Sequence, residues 1–220
     1  MALADQINKA TDELLARMRI PNDRMSSWDH CNQFFRGLAP NPDTELIDRM
    51  ALHLAFYLAS YGMYRGSAAL LGKDYKFLVP VVRHLLEENP GVPSQTVEAA
   101  ASEEQAESAW NQIQSLKEVL QSLNIEQRNL DTLTTKILLG TWVTAPAFDN
   151  SFKDAIKASR IGAATFSRKN FLKVFAFVHE HRALFQSQVT QFHRAGFEDY
   201  PAMRVVDAIV WHLGGGDETP

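Results

Sequence analysis

The sequence has one cysteine and no excess of positive charge, and each shortage excludes a class of protein. Cys31 is the only cysteine among 220 residues, which excludes a disulfide framework and a cysteine-based zinc cluster and suits a reducing cytosol. Basic residues number 22 and acidic residues 26, giving a formal charge of −4. The chain is therefore not a uniformly basic nucleic-acid coat, although this balance leaves room for a local basic face.

Long apolar runs are also missing. The most apolar stretch, 51–71, contains His53, Ser60, Arg65 and two glycines, so it is a poor candidate for a bilayer span. The first residues include early acidic positions and no apolar core region, so we expect no signal peptide. With 45% hydrophobic and 22% charged residues, the composition is that of an ordinary globular protein. We expect a cytoplasmic protein that does not contact membranes.

Motifs that identify large enzyme classes are absent as well. The sequence has no Walker A, Gly-x-Gly-x-x-Gly, His-Glu-x-x-His or Gly-x-Ser-x-Gly motif. His179 and His181 flank Glu180, but helical residues two apart point to different sides, which favours a solvated face over a metal site. Cys31 follows His30, yet adjacent side chains diverge, and we interpret Cys31 as a buried thiol. No metal or cofactor is predicted.

Apolar residues follow the helical period along nearly the whole chain, and no convincing strand appears. The sequence therefore predicts an all-α, multi-helix fold of about nine or ten helices. The clearest break is the Pro- and Gly-rich segment 89–94. We expect one all-helical domain spanning 1–220, and a division into two lobes near 90–100 stays open.

Capping residues, prolines and glycines place the helix ends. Asp43 starts a long helix that Gly62 and Gly66 interrupt, and Pro80 should kink the next one. Gly140 should end a helix that Asp131 caps. The predicted helices cover 2–19, 102–123, 131–139, 167–192 and 201–213, with further starts at 27, 43, 74 and 151, where Ser151 and Asp154 have capping-box spacing.

The charge is strongly divided along the chain. Residues 91–131 contain seven acids and two bases, a net of −5, whereas residues 152–173 contain six bases and one acid, a net of +5. Residues 64–84 add a net of +3. Clustered cations at helix ends suit a polyphosphate such as DNA, although an ordinary solvated face is an equal alternative. The candidate DNA-binding residues are Lys73, Lys136, Lys153, Lys157, Arg160, Arg168, Lys169 and Lys173, of which Lys136 is more often a plain surface lysine.

Asp149 lies between a proline-stiffened loop and a helix start, immediately before the basic run. The positive end of a helix dipole favours the charged form of a carboxyl group. Next to bound phosphates, such a carboxylate can stabilise an oxocarbenium-like sugar or orient a water against its anomeric carbon. Those are the needs of N-glycosidic bond cleavage. The alternative is a plain helix N-cap, a position where aspartate is common.

At Pro146-Ala147-Phe148-Asp149, followed by Asn150-Ser151-Phe152, the sequence resembles the helix-hairpin-helix DNA glycosylase superfamily. In that family a helical hairpin is followed by a loop that ends in an essential aspartate at a helix start. The resemblance covers about thirty residues. It implies a glycosylase-like two-lobed helical fold and a monofunctional hydrolase of base excision, with Asp149 as the catalytic residue.

The sequence departs from the family pattern at two positions. The hairpin turn of the family is Gly-hydrophobic-Gly, whereas this chain has Gly140-Thr141-Trp142. In family members with a lysine nucleophile, that lysine is farther from the aspartate in sequence than Lys136 is from Asp149. A single cysteine also cannot hold an iron–sulfur cluster.

The segment 61–67, Tyr-Gly-Met-Tyr-Arg-Gly-Ser, resembles a segment shared by a set of small helical bacterial proteins. That resemblance implies glycosylases in anti-phage defence that act on modified DNA bases.

The same segment supplies candidates for a base pocket. Glycine inside a helix costs about 1 kcal/mol relative to alanine, so Gly62 and Gly66 indicate either close helix packing or an approaching ligand. Aromatic and arginine side chains beside such a gap can stack an extruded base. Trp142 is a further candidate for the pocket lining, although a buried tryptophan is the commoner case. The candidate base-pocket residues are Tyr64, Arg65, Trp142, Phe148 and Asn150.

Three hypotheses for the function follow. The first is a DNA glycosylase-like enzyme in which the two basic segments form opposite walls of a cleft. The second is a non-catalytic nucleic-acid-binding module, and the third is a helical protein-interaction domain that docks its acidic helix at 102–123. Asp207, in the apolar last helix, should pair with a base but is assigned no chemistry. The base recognised, the strandedness of the substrate and the oligomeric state stay open.

Overall fold

The computed structural model describes residues 2–36, 42–88 and 91–214. Within these ranges the chain forms eleven α-helices and one short 3-10 helix, Tyr75–Leu78, and contains no β-strand. The all-α prediction is confirmed. The α-helices are α1 (Leu3–Met18), α2 (Ser26–Arg36), α3 (Thr44–Ser60), α4 (Val79–Glu87), α5 (Val97–Ala100), α6 (Glu103–Ser122), α7 (Gln127–Thr141), α8 (Asn150–Ala158), α9 (Arg168–Glu180), α10 (Arg182–Arg194) and α11 (Ala202–Leu213).

The chain forms two compact units, each assembled from separate stretches of sequence. Unit 1 comprises the described parts of 1–21, 93–110 and 143–220, and unit 2 those of 22–92 and 111–142. One of the points at which the chain passes between units lies between residues 92 and 93. The predicted organisation, one domain or two lobes divided near 90–100, stays a prediction.

Unit 1 is built around α11, which is buried on every side from Ala202 to Val210. A helix that is apolar all round belongs in a core, and α11 packs against α1, α8 and α10. A cluster of aromatic rings packs nearby, with neighbouring centroids between 4.9 and 6.2 Å apart. Its members are Trp110, Phe148, Phe152, Phe166, Phe171 and Phe175.

Unit 2 is built around α3 and α7. Helix α3 packs against α2, α4, α7 and the 3-10 helix, and α7 is buried from Leu133 to Thr141. The last carbonyl groups of a helix lack intrahelical partners, and α2 supplies them here. The Trp28 indole donates to the Leu139 carbonyl at 2.9 Å, and the Asn32 amide donates to the Thr141 carbonyl at 2.7 Å.

The predicted ends of α7 are wrong. Asp131 lies inside the helix, where its carboxylate pairs with Lys117 at 2.6 Å instead of capping a helix start. Gly140 also lies inside the helix, with its α-carbon against the fully buried Tyr57 ring. Because a side chain at position 140 would overlap that ring, this glycine reflects close packing and not a helix end.

The structure also corrects the predicted effects of two glycines and one proline on the helices. Gly62 and Gly66 lie after the end of α3, in a turn segment where their φ angles are +82° and +60°. These left-handed values, which favour glycine, explain both residues without a helix interruption. Pro80 lies in the first turn of α4, where its missing N–H is tolerated, so it does not kink the helix.

The predicted helix 167–192 is two helices that meet at His181. Ser167 is the N-cap, as predicted, with its hydroxyl accepting from the Asn170 N–H at 3.3 Å. Helix α9 then ends at Glu180 and α10 begins at Arg182. The sequence pattern does not show the break between them. The buried residues on either side, Val178 and Phe185, are seven residues apart, so the helical spacing of apolar residues runs on without interruption.

Candidate active site around Asp149

Asp149 is the N-cap of α8, as the sequence predicts. Its backbone is extended (φ −85°, ψ −176°), and its Oδ1 accepts a hydrogen bond from the Phe152 N–H at 3.1 Å. The predicted capping box of Ser151 and Asp154 does not form, because α8 begins at Asn150 and Ser151 lies inside the helix. The side chain of Asp149 is half-buried, so its carboxylate lies at the positive end of the α8 dipole with access to solvent.

The loop that leads to Asp149 is buried and anchored from α11. Residues 142–148 are all buried. The Ala147 N–H donates to Asp207 Oδ1 at 2.8 Å, and the Asp149 N–H donates to the Ala147 carbonyl at 2.9 Å. Arg204 pairs with the other oxygen of Asp207 at 3.2 Å. The backbone ahead of the carboxylate is thus held by a buried ion pair.

The residues that precede the N-caps of α8 and α9 are in contact. Phe148 precedes the N-cap of α8 and Phe166 precedes the N-cap of α9, and their ring centroids are 4.9 Å apart, edge to face. Phe148 is 1% exposed, so the predicted base-pocket residue forms part of the core of unit 1. Asn150, the first residue of α8, is exposed.

The cations of the basic run all lie in unit 1, along α8, just beyond its C-terminal end and on the first half of α9. Arg168 forms an ion pair with Glu107, a residue of the acidic segment, and this hydrogen bond raises the pKa of Arg168. Five further cations form no ion pair with any residue of 2–36, 42–88 or 91–214, and all are exposed except the half-buried Lys153. These are Lys153, Lys157, Arg160, Lys169 and Lys173.

Lys136 and Trp142 are not on the surface. Lys136 is 5% exposed, and its ammonium group donates to the Tyr61 carbonyl at 3.0 Å and lies 5.6 Å from the centre of the Tyr61 ring. The interpretation of Lys136 as a surface lysine is therefore wrong, because four methylenes and an aromatic face compensate for its burial. Trp142 is 8% exposed, which agrees with the commoner case for tryptophan.

The remaining predicted residues lie in the turns after α3. The Tyr64 hydroxyl is buried and has no hydrogen-bond partner within the described ranges, and burial, with a further contribution from the Asp74 charge, raises the pKa of Tyr64. Arg65 is exposed and folds back over Gly62. Lys73 is exposed, with its ammonium group 5.0 Å from the centre of the Phe77 ring.

No protein-family model, curated protein or solved structure matches the chain. No group of His, Cys, Asp and Glu side chains within the described ranges has the arrangement of a metal site. Across those same residues, every helix is too short or too polar to cross a bilayer.

The predicted site residues divide between the two units. Tyr64, Arg65, Lys73, Lys136 and Trp142 belong to unit 2, and Phe148, Asp149, Asn150, Lys153, Lys157, Arg160, Arg168, Lys169 and Lys173 to unit 1. The structure thus brings the aspartate together with the basic run in one unit. A cleft with the two basic segments as its walls stays a prediction.

Sequence reasoning missed the anchor of the Asp149 loop. It indicated that Asp207 pairs with a base, and that base is Arg204, three residues earlier on the same helix. The signal was present, because Arg204 and Asp207 are opposite charges in a helix whose other inward positions are apolar. The contact with Ala147 joins residues 60 apart in sequence, and no local pattern records such a contact.

Proposed function

We propose that this protein is a DNA N-glycosylase in which Asp149 assists cleavage of the bond between C1′ and the base. The observation that carries the proposal is a half-buried carboxylate at the N-terminus of α8 that follows an anchored loop and begins the cationic segment. Because buried residues hold the loop, the carboxylate is presented in a defined position, as catalysis of this kind requires.

The charges around Asp149 support a DNA substrate. Lys153 lies one turn after Asp149 on α8, and Lys157 follows one turn later on the same side. Lys169 and Lys173 have the same spacing on α9. Cations without protein partners can neutralise backbone phosphates and release their counterions. The free backbone N–H groups in the first turns of α8 and α9 are further donors for phosphate oxygens.

The proposed reaction assigns one task to the carboxylate. As the base leaves with the electron pair of the C1′–N bond, positive charge develops on the sugar, and Asp149 stabilises that charge. A water oxygen then attacks C1′ and its proton passes to the departed base, which leaves an abasic site and a neutral free base. The hydrogen bond from the Phe152 N–H holds one carboxylate oxygen, so the side chain does not have to reorganise during the step.

The decisive experiment compares Asp149→Asn with wild-type protein on DNA duplexes that carry different modified bases. Asparagine is as good an N-cap as aspartate, so the variant should retain its fold and bind DNA within about twofold of wild type. Base release, measured as alkali-labile strand breaks, should fall by at least about 100-fold, because removing one stabilising electrostatic group typically costs this much.

Asp154→Asn is the matched control. Asp154 is an exposed carboxylate on the same helix, so its removal changes the net charge equally and should leave base release unchanged. Base release that persists in Asp149→Asn would exclude the proposed role of Asp149. No release by wild-type protein from any modified duplex would exclude the enzyme.

The five cations without ion pairs also favour a second candidate, a nucleic-acid-binding module without chemistry. It predicts binding to DNA whose affinity falls steeply with salt, together with the absence of abasic products. The salt dependence of Kd, measured beside the strand-break assay, separates this candidate from the enzyme.

A further inference from the structure

The buried Arg204–Asp207 pair has no explanation in the packing of α11 alone. Arg204 is 2% exposed and Asp207 is 4% exposed. Burying two charges is costly, and replacing such a pair by apolar residues of similar volume is often neutral or stabilising. A pair of this kind in the central helix of unit 1 therefore indicates a task that apolar side chains cannot perform.

The task visible in the structure is to fix the peptide groups before Asp149. Asp207 Oδ1 accepts the Ala147 N–H at 2.8 Å, while Arg204 Nη1 donates to Asp207 Oδ2 at 3.2 Å. The Ala147 carbonyl in turn accepts the Asp149 N–H at 2.9 Å. A continuous series of hydrogen bonds thus runs from α11 to the backbone of Asp149.

The same loop contains a strained residue that needs restraint. Val143 has a φ of +56° and is 3% exposed. A β-branched residue in the left-handed region costs about 1–3 kcal/mol and persists only where the surroundings hold it. An anchor at Ala147 opposes relaxation of the loop between Val143 and Asp149.

We propose that Asp207 is a positioning residue that holds the loop so that Asp149 faces the sugar, while Arg204 compensates the buried charge of Asp207. The proposal rests on the proposed function of Asp149. Neither Asp207 nor Arg204 contacts the substrate, because both are buried. A displacement of a catalytic group by about 1 Å can cost 100-fold in rate, so loss of this anchor should lower the rate of base release and leave DNA affinity intact.

Two double variants isolate the anchor. Arg204→Met with Asp207→Asn removes both charges but keeps an oxygen that can accept the Ala147 N–H. Arg204→Met with Asp207→Leu removes both charges and the acceptor. Each double variant removes both partners of the pair together, whereas a single variant leaves one charge buried without the other and is prone to unfold. Thermal melting followed by circular dichroism selects conditions under which both are folded.

The readouts are single-turnover base release, Kd for the same DNA, and hydrogen exchange of the Ala147 and Asp149 amides. The Asn double variant should release base within about threefold of wild type, whereas the Leu variant should be slower by about 10- to 100-fold. Its Kd should stay within about twofold of wild type, and its Ala147 amide should exchange faster. A rate loss that the asparagine restores distinguishes positioning from general stability.

The outcomes separate the two proposals. Equal rates in the Asn and Leu double variants, with an active wild type, would overturn the role of Asp207 and leave Asp149 as proposed. A weakened Kd that accounts for the whole loss would also overturn it. Wild-type protein that releases no base would overturn the proposed function, and the positioning role with it.

Discussion

Arg160 occupies a backbone position that usually belongs to glycine. The φ of Arg160 is +56°. The Arg160 N–H donates to the Lys157 carbonyl at 3.1 Å, and the Ile161 N–H donates to the Ile156 carbonyl at 3.0 Å. This pair of bonds is the Schellman motif at the end of α8, in which the left-handed residue is commonly glycine. Because Arg160 is also exposed, we expect Arg160→Gly to stabilise the protein.

The magnitude follows from two opposing effects. A residue with a β-carbon pays about 1–2 kcal/mol in the left-handed conformation, while glycine loses about 0.5–1 kcal/mol through its greater freedom in the unfolded chain. Little packing is lost, since the arginine side chain is exposed. The net gain is about 0.5–1 kcal/mol, which corresponds to a rise in Tm of about 1–4 °C for a chain of this size.

Urea and thermal denaturation measure the stability, and Arg160→Ala is the matched control. Alanine keeps the β-carbon and removes the guanidinium, so it should not raise Tm. If Arg160 contacts a phosphate as proposed, both variants should weaken DNA binding equally and lower the salt slope of log K by about 1. An alanine variant as stable as the glycine variant would refute the conformational reasoning, and unchanged binding in both would remove Arg160 from the DNA surface.

Three further predictions concern the core of unit 2. Gly140→Ala should lower the free energy of unfolding, because the new methyl group would overlap the Tyr57 ring. That overlap costs about 1–3 kcal/mol, which outweighs the roughly 1 kcal/mol that alanine gains over glycine in a helix. A rise in the urea midpoint would contradict this. Burial raises the pKa of the Cys31 thiol, so Ellman's reagent at pH 8 should leave the folded protein unmodified and label one thiol per chain in guanidinium. Rapid labelling of folded protein would refute it. Trp28→Phe should destabilise by about 1–3 kcal/mol, measured by urea denaturation, because the buried Leu139 carbonyl loses its indole donor.

Helix starts are predictable from the sequence because their causes are local. Asp43, Asp149 and Ser167 each accept the backbone N–H three residues later, and this contact is written in adjacent sequence. The helical period likewise depends only on neighbours on one face. These local features suffice to place Asp149 at the start of a helix.

Burial and long-range contacts are not predictable in the same way. Lys136 looks like a surface residue of an amphipathic helix, and only the position of the Tyr61 carbonyl makes its burial tolerable. Gly140 resembles a helix stop, and only the Tyr57 ring explains it. In both cases the deciding partner lies on another element, more than seventy residues earlier in the chain.

The divided construction of unit 1 has a consequence for its biosynthesis. Helix α1 packs against α10 and α11, and its Asn8 and Glu13 bond to Gln188 and His212. The ribosome makes those partners nearly two hundred residues later, which takes about 10–40 s at ordinary translation rates. All of unit 2 has been synthesised by residue 142. Throughout that interval the apolar face of nascent α1, with Ile7, Leu14 and Leu15, lacks its native partners in α10 and α11, and exposed apolar surface of this kind is what chaperones bind.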